Sequence, residues 1–247
     1  MDTSKKKINL PSYKISKKPL TVEELHAESC KLPETDGRFS LINEEFKKGL
    51  SFVKQYPRSV TFYGSARFSQ EHPMYKKAHG LAFRISKELG FSIITGGGPG
   101  IMEAANRGAF EAGGDSLGLN IELPTEQRIN PYVKDSVEFY YFFSRKVALS
   151  FSANACIFFP GGYGTFDEFF EILELVQTGK IPVVPLILVD SAFWRPLDMY
   201  FKNMLYNEYK TINLEDIELY KITDNDDEIL EAVKNAPEKK LSPRDIV

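Results

Sequence analysis

Two acids follow a glycine-rich turn in the stretch "FFPGGYGTFDEFFEIL", Phe158 to Leu173. Gly161, Gly162 and Gly164 let backbone N–H groups approach a ligand closely, and a helix starting there turns its positive dipole end toward an anion. Asp167 and Glu168 are the first charged side chains of that helix, and a carboxylate can stabilise a developing cation or take a proton. Neighbouring helical residues point about 100° apart, so the two acids do not face each other and at most one is catalytic. On spacing alone, Thr165-Phe166-Asp167-Glu168 is a capping box, with Thr165 capping the helix and Glu168 reaching back. That structural role is the favoured one until other residues are weighed.

Two further strand ends carry small residues: Gly64-Ser65 after "RSVTFY", and Gly96-Gly97-Gly98-Pro99-Gly100 after "FSIIT". Together with the first turn they point to a phosphate-bearing ligand bound by Gly64, Ser65, Gly97, Gly98, Gly100, Gly161, Gly162, Gly164 and Thr165. The dinucleotide fingerprint fails, because its last glycine would fall on Ile101 or Asp167. A P-loop fails as well, since Gly164 is followed by Thr165 and Phe166 rather than lysine. With two carboxylates nearby and no lysine, a monophosphate fits better than a triphosphate.

A basic pair, Arg145-Lys146, follows the aromatic run "FYYFF" at the start of a helix expected from about Ser144. Cations there oppose the helix dipole, which points to a local role for at least one of them. Glu103 and Arg107 have the spacing of a helix-surface ion pair. His26, His72 and His79 lack metal-ligand spacing, His72 and His79 are read as solvent-exposed around a surface helix, and there is no Ser-His-Asp arrangement.

The elements that must position these groups alternate from Pro57 onward, as apolar strand-like runs separated by helical periodicities. The implied fold is α/β, a Rossmann-like doubly wound parallel sheet with helices on both faces. Strands are expected in "SVTFY", "FSIIT", "SLGLNIEL", "SVEFYY", "ACIFF" and "VVPLILV", and "FWRPLDMYFKNML" and "EILEAVKN" are expected helices. The division is a basic arm plus helical extension over 1–56 and a nucleotide-binding domain over 57–247. The extension contains "TVEELHAESCKL", which opens on a capping signal, and it serves either as a cap on the main domain or as an oligomer contact.

The chain of 247 residues carries 31 Lys and Arg against 34 Asp and Glu, a net charge of -3 that gives no reason to expect nucleic acid. Two cysteines, Cys30 and Cys156, suggest no disulfide framework and a reducing compartment. The N-terminus lacks the apolar core of a signal peptide, and the longest apolar run is strand-length. A cytoplasmic protein with no membrane partner is expected.

"GGGPGIMEAANRGA" (Gly96 to Ala109) together with "PGGYGTFDE" (Pro160 to Glu168) resembles the "lonely guy" phosphoribohydrolases, long labelled lysine decarboxylases. Every fixed position of that family's PGGxGTxxE pattern is present. The resemblance implies a Rossmann-like domain, usually dimeric, that hydrolyses the N-glycosidic bond of a nucleoside 5′-monophosphate without cofactor or metal. It places the catalytic pair on Glu168 and Arg145, the phosphate on the glycine loops and Thr165, and Lys146 among the substrate-binding residues. Many members read Met-His-x-Arg-Lys where this chain has Phe142, Phe143, Ser144, Arg145 and Lys146, so AMP and N6-modified AMP both stay open as substrates. A nucleotide sensor of the same fold is the alternative. A pyridoxal-dependent decarboxylase is disfavoured, because neither Lys146 nor Lys180 has a Schiff-base setting.

Overall fold

The computed structural model describes residues 35–122 and 129–237. The helix expected over "TVEELHAESCKL", and with it His26 and Cys30, lies outside the described residues. The first described element, α1 (Thr35–Val53), is followed by β1 (Ser59–Tyr63), α2 (Pro73–Leu89), β2 (Ser92–Thr95), α3 (Ile101–Glu111) and β3 (Ser116–Ile121). Then come β4 (Asp135–Phe139), α4 (Phe142–Ser152), β5 (Ala155–Phe158), α5 (Tyr163–Gln177), β6 (Leu186–Leu188) and α6 (Ser191–Tyr200). A π-helical stretch (Phe201–Glu208), α7 (Leu214–Ile217), β7 (Lys221–Ile222) and α8 (Asp226–Lys234) complete the described chain.

The seven strands form one sheet in the order β4-β3-β2-β1-β5-β6-β7, every pair parallel. Strands β1, β2, β3, β5 and β6 are buried at every position, which is why their sequences are continuous apolar runs rather than alternating ones. Each face has its own core. Ile94, Leu119, Phe158 and Leu188 pack with Phe52, Ala148 and Phe169 from α1, α4 and α5. Val60, Phe62, Ile93 and Ile157 pack with Leu81, Ile85, Ala104 and Leu230 from α2, α3 and α8. Cys156, in β5 between β1 and β6, belongs to the first of these cores and is 1% exposed.

The chain leaves β1 toward β2, β3 and β4, then returns through α4 to place β5 on the other side of β1. Connections therefore diverge between the carboxyl ends of β1 and β5, where open α/β sheets bind ligands. Boundaries differ from expectation: the strand expected over "VVPLILV" is β6 only at Leu186–Leu188, and α4 starts at Phe142 rather than about Ser144. The helix expected over "FWRPLDMYFKNML" is α6 only to Tyr200, beyond which the ladder widens to π spacing and closes with Tyr209 N donating to Met204 O at 2.8 Å. The short β7, two residues long, carries too little periodicity to be read from sequence. Among the described residues no helix is long and apolar enough to cross a membrane.

Candidate active site

Three loops converge above β1, β5 and β2. Ser65 N donates to Pro160 O at 2.9 Å, tying the turn after β1 to the turn after β5. Ile101 N donates to Ser65 O at 3.0 Å, tying the same turn to the start of α3. Between them opens a cleft of about 870 Å³, lined by Gly64, Ser65, Gly96, Gly161, Gly162, Gly164 and Thr165 together with Arg145 and Glu168. This is at the large end of small-molecule pockets and accommodates a nucleotide.

The helix α5 begins at Tyr163 with Gly162 as its N-cap, and no side chain caps it. The capping box expected at Thr165-Phe166-Asp167-Glu168 is therefore absent. The glycines let the helix start three residues earlier, so Thr165 occupies the third helical position and Glu168 the sixth, too deep to reach back. The first N–H groups of such a helix have no intrahelical acceptor and point at the cleft with the dipole behind them. A Cβ at Gly162 or Gly164 would meet nothing within 4 Å, so both open onto space. At Gly161 a Cβ would lie 2.1 Å from Thr165 Oγ1, because that hydroxyl is folded back against the turn.

Freed from capping, Glu168 turns inward. Its side chain is 17% exposed, and Oε1 accepts from Arg145 Nη2 at 3.2 Å. Burial pushes the Glu168 carboxyl up to about 7, although the Arg145 charge opposes the shift. Arg145 is itself 11% exposed. Its guanidinium lies 5.4 Å from the Phe142 ring centroid, and Nη1 would be 3.2 Å from a Cβ on Gly96. Gly96 thus leaves the space that Arg145 fills.

The remaining expected site residues sit elsewhere. Gly97, Gly98 and Gly100 do not line the cleft. Gly97 and Gly100 adopt positive φ (72° and 69°), and a Cβ would be 1.9 Å from Asn120 Oδ1 at Gly97 and 2.2 Å from Ser65 O at Gly100. Asn130 Nδ2 donates to Gly97 O, Gly98 O and Asn106 Oδ1 at 2.9–3.1 Å, and Gly97 N donates to Thr95 Oγ1. The turn after β2 is a buried brace. Lys146 is also outside the lining; one residue past Arg145, it faces Asp167 at 3.1 Å and Glu171 at 3.3 Å. Both cations that strained against the α4 dipole therefore meet acids on α5.

Arg107 pairs with Glu111 at 2.8 Å rather than with Glu103, whose Oε1 accepts from the Tyr75 hydroxyl at 2.9 Å. His72, read as exposed, accepts from Met74 N to cap α2 and stacks on Phe68 at 4.0 Å, while His79 bonds Glu111 at 2.8 Å. Among the described residues no group of three His, Cys, Asp or Glu side chains has metal-binding proximity. Sequence reasoning passed over Arg67, Phe68, Met102, Ile121, Phe166 and Phe193, all of which line the cleft. Arg67 carried a usable signal, since it lies three residues past Gly64 at the switch point. Phe193 carried none, because a strand and a helix separate it from the motif.

The sheet order, the helix start at the β5 end and the buried carboxylate–guanidinium pair define a Rossmann-like protein with a glycine-lined cleft at the switch point. Residues 102–233 match the family model described as "Possible lysine decarboxylase". The chain belongs to this family, which is that of the "lonely guy" proteins. It is 29% identical over 170 residues to the pyrimidine/purine nucleotide 5′-monophosphate nucleosidase of Escherichia coli strain K12, covering 62% of this chain and 36% of that protein. It is 26% identical over 149 residues to the cytokinin riboside 5′-monophosphate phosphoribohydrolase of Rhodococcoides fascians, covering 60% of this chain and 75% of that one. The chain thus spans about a third of the E. coli relative and three quarters of the R. fascians one. Among solved structures, the molybdenum cofactor carrier protein of Chlamydomonas reinhardtii shares the fold, with a TM-score of 0.54, 21% identity and coverage of 72% and 97%.

Proposed function

We propose that the protein hydrolyses the N-glycosidic bond of a nucleoside 5′-monophosphate, releasing free base and ribose 5-phosphate. The observation that carries this reading is Glu168: a buried carboxyl raised to about 7, paired to Arg145, one helical turn past an uncapped α5 N-terminus. From Gly164 to Glu168 the helix rises about 6 Å, comparable to the span from a 5′-phosphate to its sugar. The phosphate then sits on the N–H groups around Gly162 and Gly164, beside Ser65 and Thr165. Arg67, exposed at the rim and without an ion pair among the described residues, adds positive charge there.

Breaking the bond from the anomeric carbon to the base builds positive charge on the ribose. Glu168 stabilises that charge and takes a proton from the attacking water, whose oxygen bonds the anomeric carbon. The electron pair of the broken bond leaves with the base, which takes up a proton. Arg145 orients Glu168. A pKa near 7 suits a base that must be ionised and still accept a proton at neutral pH. Phe68, Phe142, Phe166 and Phe193 line the cleft with aromatic surface on which a base can stack.

The relatives' names support a nucleoside monophosphate as substrate, and AMP or N6-modified AMP are the proposed choices. A homodimer in the cytoplasm completes the reading, and light scattering on the purified chain checks the assembly. A pyridoxal-dependent decarboxylation lacks its lysine: none of the described residues lining the cleft is one, and Lys146 is held by Asp167 and Glu171. A protein that merely held a nucleotide would gain nothing from burying Glu168 at a cost in stability. The test is incubation with a panel of nucleoside monophosphates, N6-modified AMP included, followed by chromatography for free base. Release from at least one, abolished in Glu168→Gln, is expected; tight binding with no release would replace this reading with the sensor.

A further inference from the structure

The helix that carries Arg145 lacks an N-cap of its own. Tyr141 stands at the N-cap position of α4 without a side-chain cap bond, no acid lies in the first turn, and Arg145 and Lys146 oppose the dipole. An acceptor for the residues that lead into it comes from α1, about a hundred residues earlier in the chain. Glu45 Oε1 accepts from Tyr140 N at 2.6 Å, and Oε2 accepts from Tyr141 N at 3.3 Å and from the Ser144 hydroxyl. The Ser144 hydroxyl, with one proton for two acceptors, also lies 2.8 Å from Tyr141 O, and Arg145 N donates to the same carbonyl at 3.3 Å. One carboxylate therefore holds the two residues leading into α4 and the residue immediately before Arg145. Bonds to an ionised acceptor are about twice as strong as neutral ones.

The support for Glu45 is itself tight. One turn on, a Cβ at Gly49 would lie 2.7 Å from Phe139 Cζ and 3.2 Å from Ala148 Cβ, so α1 lies directly against β4 and α4. Phe46 packs on Phe143 with ring centroids 6.2 Å apart, and Arg38 lies 5.9 Å from the Tyr141 ring centroid. This helix precedes the segment matched by the family model.

We propose that Glu45 is a positioning residue: by anchoring the entry to α4 from α1 it holds Arg145 against Glu168, which makes α1 a working part of the site. The inference rests on the hydrolase reading for its kinetic consequence and on geometry alone for its electrostatic one. Arg145 meets Glu168 through a single 3.2 Å bond rather than a bidentate pair, so a small displacement of α4 weakens it. Displacements of about 1 Å can cost about 100-fold in rate. The groups acting on Glu168 are Arg145 and Lys146 from α4 and Asp167 and Glu171 from α5, with Tyr63 of β1 also within electrostatic reach. Of these, the Arg145 charge is the largest influence holding its carboxyl down.

The experiment compares Glu45→Ala, Glu45→Gln and the exposed neighbour Glu44→Ala in the full chain. Thermal melts establish that each is folded, and the near-isosteric Gln stands in should the alanine variant not fold. Two quantities are read: kcat and KM with a nucleoside monophosphate, and the Glu168 midpoint from carboxyl 13C NMR of Glu-labelled protein. Glu45→Ala should lower kcat about 10-fold with KM within about twofold, and raise the Glu168 midpoint by about half a pH unit or more as Arg145 recedes. Glu45→Gln should show the same changes more weakly, and Glu44→Ala neither. A folded Glu45 variant with an unaltered Glu168 midpoint overturns the proposal, as does one whose kcat falls only in step with its folded fraction. If the wild-type chain releases no base, the hydrolase reading fails while the NMR titration still decides the role of Glu45.

Discussion

The glycine turns after β2 and after β5 look interchangeable in sequence but do opposite things. At Gly97 and Gly100 the glycines are required by the protein itself, because the backbone is left-handed in φ and neighbouring atoms occupy the place of a side chain. At Gly162 and Gly164 nothing in the protein demands glycine, and the backbone is open to the cleft. A glycine required by the fold protects stability, whereas Gly162 and Gly164, open and lining the cleft, leave their backbone accessible to whatever the cleft holds.

Substitutions across the two turns separate these demands. The largest effect is expected in the brace: Gly100→Ala should cost about 3 kcal/mol or more, lowering Tm by about 6–12 °C in thermal denaturation. Next comes the acid that the open turn serves. Glu168→Gln should reduce turnover by about 100-fold or more, measured as base release, with nucleotide binding retained. Its stability effect has a definite sign. The folded carboxyl titrates near 7 and the unfolded one near 4.5, so the native state binds the extra proton and wild-type stability falls as pH rises between those values. Glu168→Gln should therefore melt above the wild type at pH 8 and lose that advantage below about pH 4.5.

A smaller effect belongs to the open turn. Gly162→Ala should leave Tm within about 2 °C but raise KM about 10-fold, equivalent to about 1.4 kcal/mol of phosphate binding. Equal loss of Tm at Gly100 and Gly162 would erase the distinction between the turns. The smallest is Lys146→Met, with kcat and KM within about twofold of wild type, because that side chain serves ion pairs on α5 rather than the cleft.

The same contrast explains what could be read in advance. Burial on both faces writes itself into a strand as an unbroken apolar run, so "RSVTFY", "FSIIT" and "ACIFFP" are legible as strands of a parallel sheet. Gly90 was legible as a stop because a left-handed helix cap is a local demand, and it has φ 69°. The fate of Gly97 depends on Asn120 and that of Gly100 on Ser65, contacts that only the folded chain creates. Thr165 and Glu168 have the spacing of a capping box, but a helix start three residues earlier removes its geometry. Arg145 and Lys146 are adjacent, so one must turn into the cleft and one away, and their order follows from where α5 packs. Glu45 was out of reach altogether, since no local pattern links it to a helix about a hundred residues later.

Cys156 offers a way to watch the floor of the site from below. Its thiol is shut inside the central strand beside β1, and a labelling reagent must wait for that strand to open. In a Cys30→Ser background the labelling rate becomes a clock for sub-global opening of the sheet that carries both turns. Under fast reclosing it reports the opening free energy, and a ligand seated across the ends of β1 and β5 should slow the clock in proportion to its occupancy.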